Sequence, residues 1–188
     1  MHQQRFSGPI RPADLDRSDD AQAIVTLLNA YAEDAMGAGE LLSEDVKERL
    51  VPALRRVADH LVLLACDGEN AVGLAICFQG FSTFRARPLL NIHDLAVLPS
   101  HRRRGVATAL LAAIEAEARR RDCCKLTLEV REDNPRAEAL YRALGFGAGN
   151  AGECSVQYRF MEKRLGSSAQ ARAKRERLSK VLDHLTKE

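Results

Sequence analysis

The chain has 188 residues, of which 46% are hydrophobic and 29% are charged, and this composition suits one packed domain with an appendage. Its formal net charge of +2 excludes a polycation and argues against a nucleic acid as partner. No apolar run reaches the roughly 18 residues of a membrane span, and no signal peptide opens the sequence, so we expect a cytoplasmic protein with no membrane contact.

The N-terminal part of the sequence predicts a short strand and a helix. We interpret residues 1–7 as a disordered or tag-like N-terminus and residues 10–15 as a first strand. Ser18 or Asp19 is suited to cap the helix that follows. The apolar residues of this helix recur at i, i+3, i+4 and i+7, and they are Ile24, Leu27, Leu28 and Tyr31.

A second helix and three strands are predicted next. The helix starts near Ser43, and Pro52 is expected to kink or restart it. Residues 60–84 form two apolar, strand-like runs around Asp67-Gly68, a dipeptide typical of a hairpin turn. Residues 88–99 are a third strand, which ends at its final proline.

The C-terminal half predicts a βαβ unit and a closing strand. A helix begins close to Gly105, residues 125–131 form a strand, and residues 134–145 form another helix. Because crossovers of this kind join parallel strands, 125–131 should lie parallel to 88–98. Residues 154–165 alternate apolar and polar side chains, as a closing strand does. The sequence therefore predicts an α/β domain with a mixed central sheet.

The tail and the cysteines have structural interpretations. Residues 166–188 are predicted to form a C-terminal helical extension with a narrow apolar stripe. That stripe either docks on its own domain or forms a homodimer contact. The five cysteines are odd in number and lack the paired spacing of a zinc site, so we interpret them as structural thiols and predict no metal site.

Residues 100–121, SHRRRGVATALLAAIEAEARRR, place three arginines directly before a helix. A helix N-terminus binds anions through its unpaired amides and its dipole, and Gly105 and Ala107 leave the backbone of the turn uncovered. No Gly-x-x-x-x-Gly-Lys-Ser/Thr is present, which excludes a P-loop. No aromatic residues interleave the arginines, which argues against a nucleic-acid site.

The spacing Arg102-x-x-Gly105-x-Ala107 resembles the pyrophosphate loop of the GNAT superfamily of acyl-CoA-dependent N-acetyltransferases. NIHDLAVLPSHRRRGVATALL resembles the family's fourth strand, this loop and the third helix. LTLEVREDNPRAEALYRALGF resembles the fifth strand and the helix after it. Ala107 stands where many members carry glycine. The resemblance implies an N-acetyltransferase domain over residues 8–165, with a GNAT-like mixed central sheet whose fourth and fifth strands splay apart.

The resemblance further implies acetyl-CoA as the acetyl donor. Backbone amides would hold its pyrophosphate, and the arginine side chains would attract or contact its phosphates. The residues concerned are Arg102, Arg103, Arg104, Gly105, Val106, Ala107 and Thr108. The main chain of Leu95, Ala96 and Val97 would pair with the pantetheine arm, and one of these amides would donate to the thioester carbonyl. Asn134 matches an asparagine that contacts the cofactor, and its place before Pro135 also suits an N-cap.

Three residues are candidates for the chemistry. Tyr141 matches the tyrosine that protonates the leaving thiolate in many members, although its apolar helical stripe also fits a core role. FSTFRARPLLNIHDLAV resembles spermidine/spermine acetyltransferases, in which two adjacent acidic residues occupy the positions of His93 and Asp94. His93 would accept the proton of the amine, directly or through water, and Asp94 would anchor a cationic amine. Alternatively, both side chains are structural and have backbone partners.

The acceptor implied by the resemblance is a small cationic primary amine. In the family, the loop between the first two helices forms part of the acceptor pocket. Here it carries five carboxylates that suit a positive charge: Glu33, Asp34, Glu40, Glu44 and Asp45. Alternatively, these charges lie on solvated helix faces. Two alternatives stay open. RRRGVATALLAAIEAEARRR and LTLEVREDNPRAEALYRALGF also resemble ribosomal-protein-alanine acetyltransferases, whose acceptor is a protein α-amine. The other alternative is a non-catalytic acyl-CoA-binding module, and the presence of Tyr141 argues against it.

Overall fold

The computed structural model describes residues 5–147 and Met161. The chain divides into two units, Met1–Gly147 and Ala148–Glu188, and the helices and strands of the described residues all belong to the first. The predicted closing strand 154–165, the tail 166–188 with its dimer contact, and Cys154 lie outside the described residues.

A five-stranded sheet has the order β1-β2-β3-β4-β5. Its strands are β1 (Ile10–Pro12), β2 (His60–Asp67), β3 (Asn70–Ser82), β4 (Arg87–Val97) and β5 (Leu126–Leu128). Neighbouring strands are antiparallel except β4 and β5, which are parallel. Gly68 takes a φ of +62° in the turn between β2 and β3, as the hairpin prediction required. The predicted mixed sheet and its parallel pair are therefore confirmed.

Helices cover both faces of this sheet. They are α1 (Ser18–Glu33), α2 (Glu44–Leu54), α3 (Val106–Arg120) and α4 (Pro135–Ala143). Alternate strand residues point to opposite faces, so the sheet divides the core into two clusters. On one face α1 and α2 pack against strand residues that include Leu64, Leu74 and Ile76. On the other face α3 packs against residues that include Leu63, Ala75 and Leu90.

Two helix predictions differ from the structure. Neither Ser18 nor Asp19 caps α1: the N-cap is Arg17, which makes no capping hydrogen bond through its side chain. Asp20 organises this end instead, because its buried carboxylate accepts from the Arg11 guanidinium at 2.6 Å and from the Asp14 amide at 2.8 Å. In α2, Pro52 lies in the last turn and the helix ends at Leu54 rather than restarting.

The fourth and fifth strands separate part-way along their length. Their ladder joins only Leu90–Leu126, Asn91–Thr127 and Ile92–Leu128, so the strand predicted over 125–131 is shorter than expected. β4 continues for five more residues to Val97, paired with β3 alone. Beyond Ile92, one edge of β4 therefore has no strand partner among the described residues. This is the splay that the resemblance implied.

The four cysteines in the described part of the chain are free thiols. Cys66 and Cys77 are buried in the two clusters, and burial raises the pKa of the Cys77 thiol to about 12. A thiol that stays protonated is a poor nucleophile and a poor metal ligand. These two cysteines act as small apolar core residues, as predicted.

Candidate active site

The β4 strand contains one residue more than its pairing with β3 requires, and that residue is His93. The register joins Ile92 to Cys77 and Asp94 to Ile76, so His93 has no residue opposite it and forms a β-bulge. Its ring meets the ring of Phe78 edge-on, with 5.4 Å between the centroids. The bulge therefore presents two adjacent ionisable side chains immediately beyond the end of the β4–β5 ladder.

Asp94 faces a cleft of about 400 Å³ between α1, the α1–α2 connection and α2. The remaining lining residues are uncharged, and they are Leu28, Tyr31, Ala32, Met36, Gly37, Ala38, Leu42, Val46 and Leu50. Burial raises the pKa of Asp94, and the adjacent His93 lowers it by a smaller amount. Among the described residues, none donates a hydrogen bond to this carboxylate.

Two tyrosines, one on α1 and one on α4, lie close enough for one to influence the pKa of the other. Tyr31 lines the cleft, and its pKa is raised by burial first and then by the charge of Asp94. Tyr141, on α4, is half-buried and meets Phe146 edge-on at 5.8 Å between ring centroids. Burial raises the pKa of Tyr141, with a smaller contribution from Tyr31. The phenol of Tyr141 is therefore protonated across the neutral pH range.

The C-terminal end of β4 leads into the arginine-rich turn before α3. After the short helical turn Pro99–His101, Gly105 takes a φ of +92° and α3 begins at Val106. The first helical hydrogen bond runs from the Ala109 amide to the Gly105 carbonyl at 3.0 Å. None of the described residues accepts a hydrogen bond from the amides of Val106, Ala107 and Thr108, so these three donors and the positive end of the helix dipole face outward together.

The three arginines of this turn have different environments. Arg102 donates through Nε to the Val97 carbonyl at 3.1 Å and through Nη2 to Asp34 at 2.9 Å. Arg104 contacts Asp67 at 3.3 Å. Arg103 is exposed and has a φ of +62°, and no acidic side chain within residues 5–147 pairs with it. Two of the arginines are thus held by the protein, whereas Arg103 points its charge into solvent.

A sequence model described as "Acetyltransferase (GNAT) family" matches residues 23–146. The chain belongs to this GNAT family. An uncharacterized N-acetyltransferase from Archaeoglobus fulgidus is 32% identical over 136 residues, which are 70% of this chain and 88% of that protein. Aminoglycoside N(6')-acetyltransferase type 1 from Acinetobacter haemolyticus is 33% identical over 89 residues, which are 46% of this chain and only 61% of that protein.

A solved GNAT-like fold also superimposes on the chain. The ribosomal-protein-alanine N-acetyltransferase of Brucella melitensis biovar Abortus 2308 gives a TM-score of 0.62 with 21% identity, over 82% of this chain and 100% of that one. At this identity the likeness concerns the fold alone. Family membership establishes the reaction class, which is acetyl transfer to an amine, and GNAT acetyltransferases draw on acyl-CoA donors.

Asn134 has the structural role that the sequence predicted. Its side-chain oxygen accepts from the Ala137 amide at 3.1 Å, and Pro135 occupies the first position of α4. This cap fixes the start of the helix that carries Tyr141. The predicted contact between Asn134 and the cofactor of a GNAT enzyme stays a prediction.

Of the five acidic residues predicted for the loop between the first two helices, Glu33 ends α1, and Glu44 and Asp45 begin α2, where all three lie on exposed helix faces as the alternative interpretation expected. None of the five lines the described part of the cleft. Asp34 accepts from the Met36 amide and from Arg102, and both interactions lower its pKa. Glu44 pairs with Lys47, and Asp45 pairs with Arg49. These carboxylates have partners or lie exposed, and Asp94 is the one charged residue that lines the described part of the cleft.

Neither a metal-binding cluster nor a membrane-spanning helix occurs among the described residues. These residues contain no group of three or more histidine, cysteine, aspartate or glutamate side chains able to hold a metal ion. Within the same part of the chain, no helix has both the length and the apolar content needed to cross a bilayer.

Proposed function

We propose that the protein transfers the acetyl group of acetyl-CoA to the primary amine of a small cationic molecule by direct attack. One observation carries the proposal. The last five residues of β4 have an edge without a strand partner among the described residues, and that edge runs from the bulge at His93 and Asp94 to the outward-facing amides at the start of α3. An extended thioester therefore has a backbone to pair with, an anion site at one end and ionisable side chains at the other.

The donor fits this surface at both ends. The amides of Val106, Ala107 and Thr108 are suited to the pyrophosphate, and the φ of Gly105 turns the chain so that they face one direction. Of the three arginine side chains, Arg103 is best suited to a phosphate because Arg102 and Arg104 already contact carboxylates. The main chain of Leu95, Ala96 and Val97 is suited to the pantetheine arm.

Acetyl-CoA supplies a thioester whose carbonyl carbon is attacked and whose thiolate departs. Asp94 anchors the ammonium of the acceptor, and His93 takes its proton directly or through water, which leaves a neutral nucleophile. An amide of Leu95–Val97 donates a hydrogen bond to the carbonyl oxygen as negative charge develops there. Tyr141 donates its phenolic proton to the departing sulfur, and its raised pKa keeps that proton in place at neutral pH.

The role of Tyr141 is tested by Tyr141→Phe, which removes the phenolic oxygen but keeps the ring against Phe146. We expect kcat to fall about 10²-fold or more while the Kd for acetyl-CoA and the free energy of unfolding change little. Thiol release measures kcat and calorimetry measures Kd. An unchanged kcat would assign Tyr141 to the core, and no heat with coenzyme A would contradict the proposed donor itself.

The protein α-amine remains the second candidate acceptor, because RRRGVATALLAAIEAEARRR and LTLEVREDNPRAEALYRALGF also resemble ribosomal-protein-alanine acetyltransferases. Turnover of free amines against N-terminal peptides separates the two. Cofactor binding without turnover of any amine would favour the non-catalytic module. The cytoplasmic location and a homodimer stay predictions.

A further inference from the structure

The described part of the cleft wall is apolar apart from the carboxylate of Asp94 and the hydroxyl of Tyr31. α1 contributes Leu28 and Tyr31, the connection contributes Met36 and Leu42, and α2 contributes side chains from its first two turns. Asp94 lies half-buried at the base of β4 with no hydrogen-bond donor among the described residues. A half-buried carboxylate carries one negative charge, so it balances the charge of one ammonium.

The nearby carboxylates do not extend this charge into the cleft. Asp34 is held outside it by Arg102 and the Met36 amide, and Glu44 and Asp45 pair with basic residues of α2 itself. A polyamine or an aminoglycoside carries further ammonium groups, each of which must keep its water or find an anionic partner. The described wall offers no anionic partner to a second ammonium, because its other side chains are uncharged, and an ammonium that lies against them loses part of its water.

We propose that the acceptor is a free monoamine, in which a single primary ammonium is attached to an alkyl or arylalkyl body. This inference rests on the proposed function and narrows its substrate class. Asp94 takes the ammonium, and the body lies against Leu28, Met36, Leu42 and Val46. The amine nitrogen forms a bond to the acetyl carbon and the C–S bond breaks. Of the two protons that the nitrogen loses, one passes to the base before attack, and the other restores the proton that Tyr141 gives to the sulfur, so coenzyme A leaves as the thiol. The acceptor class therefore differs from the aminoglycosides named for several relatives.

The sharpest test compares two acceptors that differ by one charge. n-Hexylamine and 1,6-diaminohexane have the same carbon chain, and we expect the monoamine to have a kcat/KM at least tenfold higher. From propylamine to hexylamine, each methylene that reaches the wall should raise kcat/KM about fourfold. Spermidine and kanamycin should be poor acceptors. Equal or better turnover of the diamine, or no rise along the alkyl series, would overturn the inference while leaving acetyl transfer intact.

A charge placed on the wall gives an independent test. Val46 lines the cleft from a partly exposed position on α2, so Val46→Glu adds a second carboxylate where a long body would lie. We expect the ratio of kcat/KM for 1,6-diaminohexane over n-hexylamine to rise at least tenfold. Leu41→Glu is the matched control, since Leu41 is 53% exposed and does not line the cleft, and its ratio should equal that of the wild type.

Three outcomes remain distinguishable. An unchanged ratio in Val46→Glu, with an unfolding midpoint equal to that of Leu41→Glu, overturns the monoamine inference. A tetrapeptide beginning with leucine that exceeds isoamylamine in kcat/KM overturns the assignment to a free amine. If calorimetry detects acetyl-CoA binding but no amine of either class is acetylated, the proposed function fails and the inference fails with it.

Discussion

Two glycines fix the start of α3 for different physical reasons. Gly105 has a φ of +92° and open space where a Cβ would lie, so only its conformation demands glycine. Gly73 on β3 has an ordinary conformation, but a Cβ there would lie 2.8 Å from Cγ1 of Val106. Gly73 therefore leaves room for Val106, the first residue of α3, to pack against β3. Gly105 allows the chain to turn into the helix, so the first amides of α3 lie close to the end of β4.

Replacing Gly105 should reveal a conformational cost without a clash. We expect Gly105→Ala to lower the free energy of unfolding by about 1 to 2 kcal/mol, because alanine must adopt the left-handed region. Gly105→Asn should lose less, since asparagine tolerates that region better. Urea unfolding measures both variants. Equal losses in the two would show that φ is not the reason for glycine here.

Asp94 should make the reaction sensitive to mild acid. Its carboxylate must be ionised to hold an ammonium, and burial raises its pKa above the ordinary aspartate value of about 3.9. The value of kcat/KM should therefore fall as the pH drops through a midpoint above that value. Asp94→Asn should lose about 10²-fold in kcat/KM and show no acid limb from this group.

The pH profile also tests the neighbouring residue. His93→Ala should change the shape of the profile of kcat/KM if the imidazole accepts the proton of the amine. A profile that keeps its shape in His93→Ala would exclude His93 as the base, and the proton would then leave through water.

At the scale of elements, the bulge in β4 is the feature that sequence reasoning missed. The α3-facing residues of the strand are Leu90, Ile92, Leu95 and Val97. The step from Ile92 to Leu95 is odd, whereas a regular strand returns to the same face only after an even number of residues. That break in parity was a readable signal for the bulge. Tyr31 was missed for another reason: it continues an apolar stripe, and only the position of the cleft gives its hydroxyl a neighbour in Asp94.

The α1–α2 connection forms hydrogen bonds with the arginine-rich turn before α3 and with the segment after β5. Arg102 reaches Asp34, and Arg131 donates to the Gly37 carbonyl at 3.4 Å. The Leu42 amide of the connection donates to the side-chain oxygen of Asn29 on α1 at 3.0 Å. These bonds couple the wall of the acceptor cleft to the surface proposed for the donor.

Replacing different arginines of the turn should therefore affect different constants, either the Kd for acetyl-CoA or the KM of the acceptor. We expect Arg103→Ala to raise the Kd for acetyl-CoA about three- to tenfold, with a smaller effect at high salt, because it removes an exposed charge near a phosphate. Arg102→Ala should instead raise the KM of the acceptor, because it releases Asp34 and the connection. Calorimetry and steady-state kinetics measure the two effects, and a common effect on Kd would contradict the division.

At the scale of the whole molecule, an ion pair between Asp20 and Arg11 joins α1 to β1. The side chain of Asp20 is 2% exposed and that of Arg11 is 39% exposed, with 2.6 Å between their atoms. The Arg11 guanidinium holds the pKa of Asp20 at about 2, despite the opposing effect of burial. A carboxyl whose pKa is lower in the folded state than in the unfolded chain stabilises the fold above the unfolded value, and this contribution disappears as the pH falls towards the folded value.

Acid unfolding should report on this pair. Asp20 should contribute about 1 to 2 kcal/mol at neutral pH, discounted because Arg11 is partly exposed, and the contribution should be lost between about pH 4 and pH 2. Asp20→Asn should lower the free energy of unfolding at pH 7 and flatten its dependence on pH in that window. Urea titrations at several pH values test this, and a parallel acid slope in the variant would contradict it.

The order of elements and the chain direction of β4 and β5 could be predicted because periodicity and crossover rules act locally. The wall of the cleft could not be predicted, because which carboxylates face it depends on ion pairs such as Asp34–Arg102 that join residues 68 positions apart. The sequence has five acidic residues between positions 33 and 45, and in the folded chain each of them forms an ion pair or is exposed to solvent. Charge in a sequence is therefore a poor guide to the charge inside a pocket.

The edge of β4 that no described strand shares has a consequence for handling the protein. Main-chain hydrogen bonding does not discriminate between partners, so any extended peptide, including a loosened segment of another copy, can pair along His93–Val97. We expect concentrated samples to self-associate more readily without coenzyme A than with it. Coenzyme A would then also protect the protein against aggregation, in addition to its role in turnover.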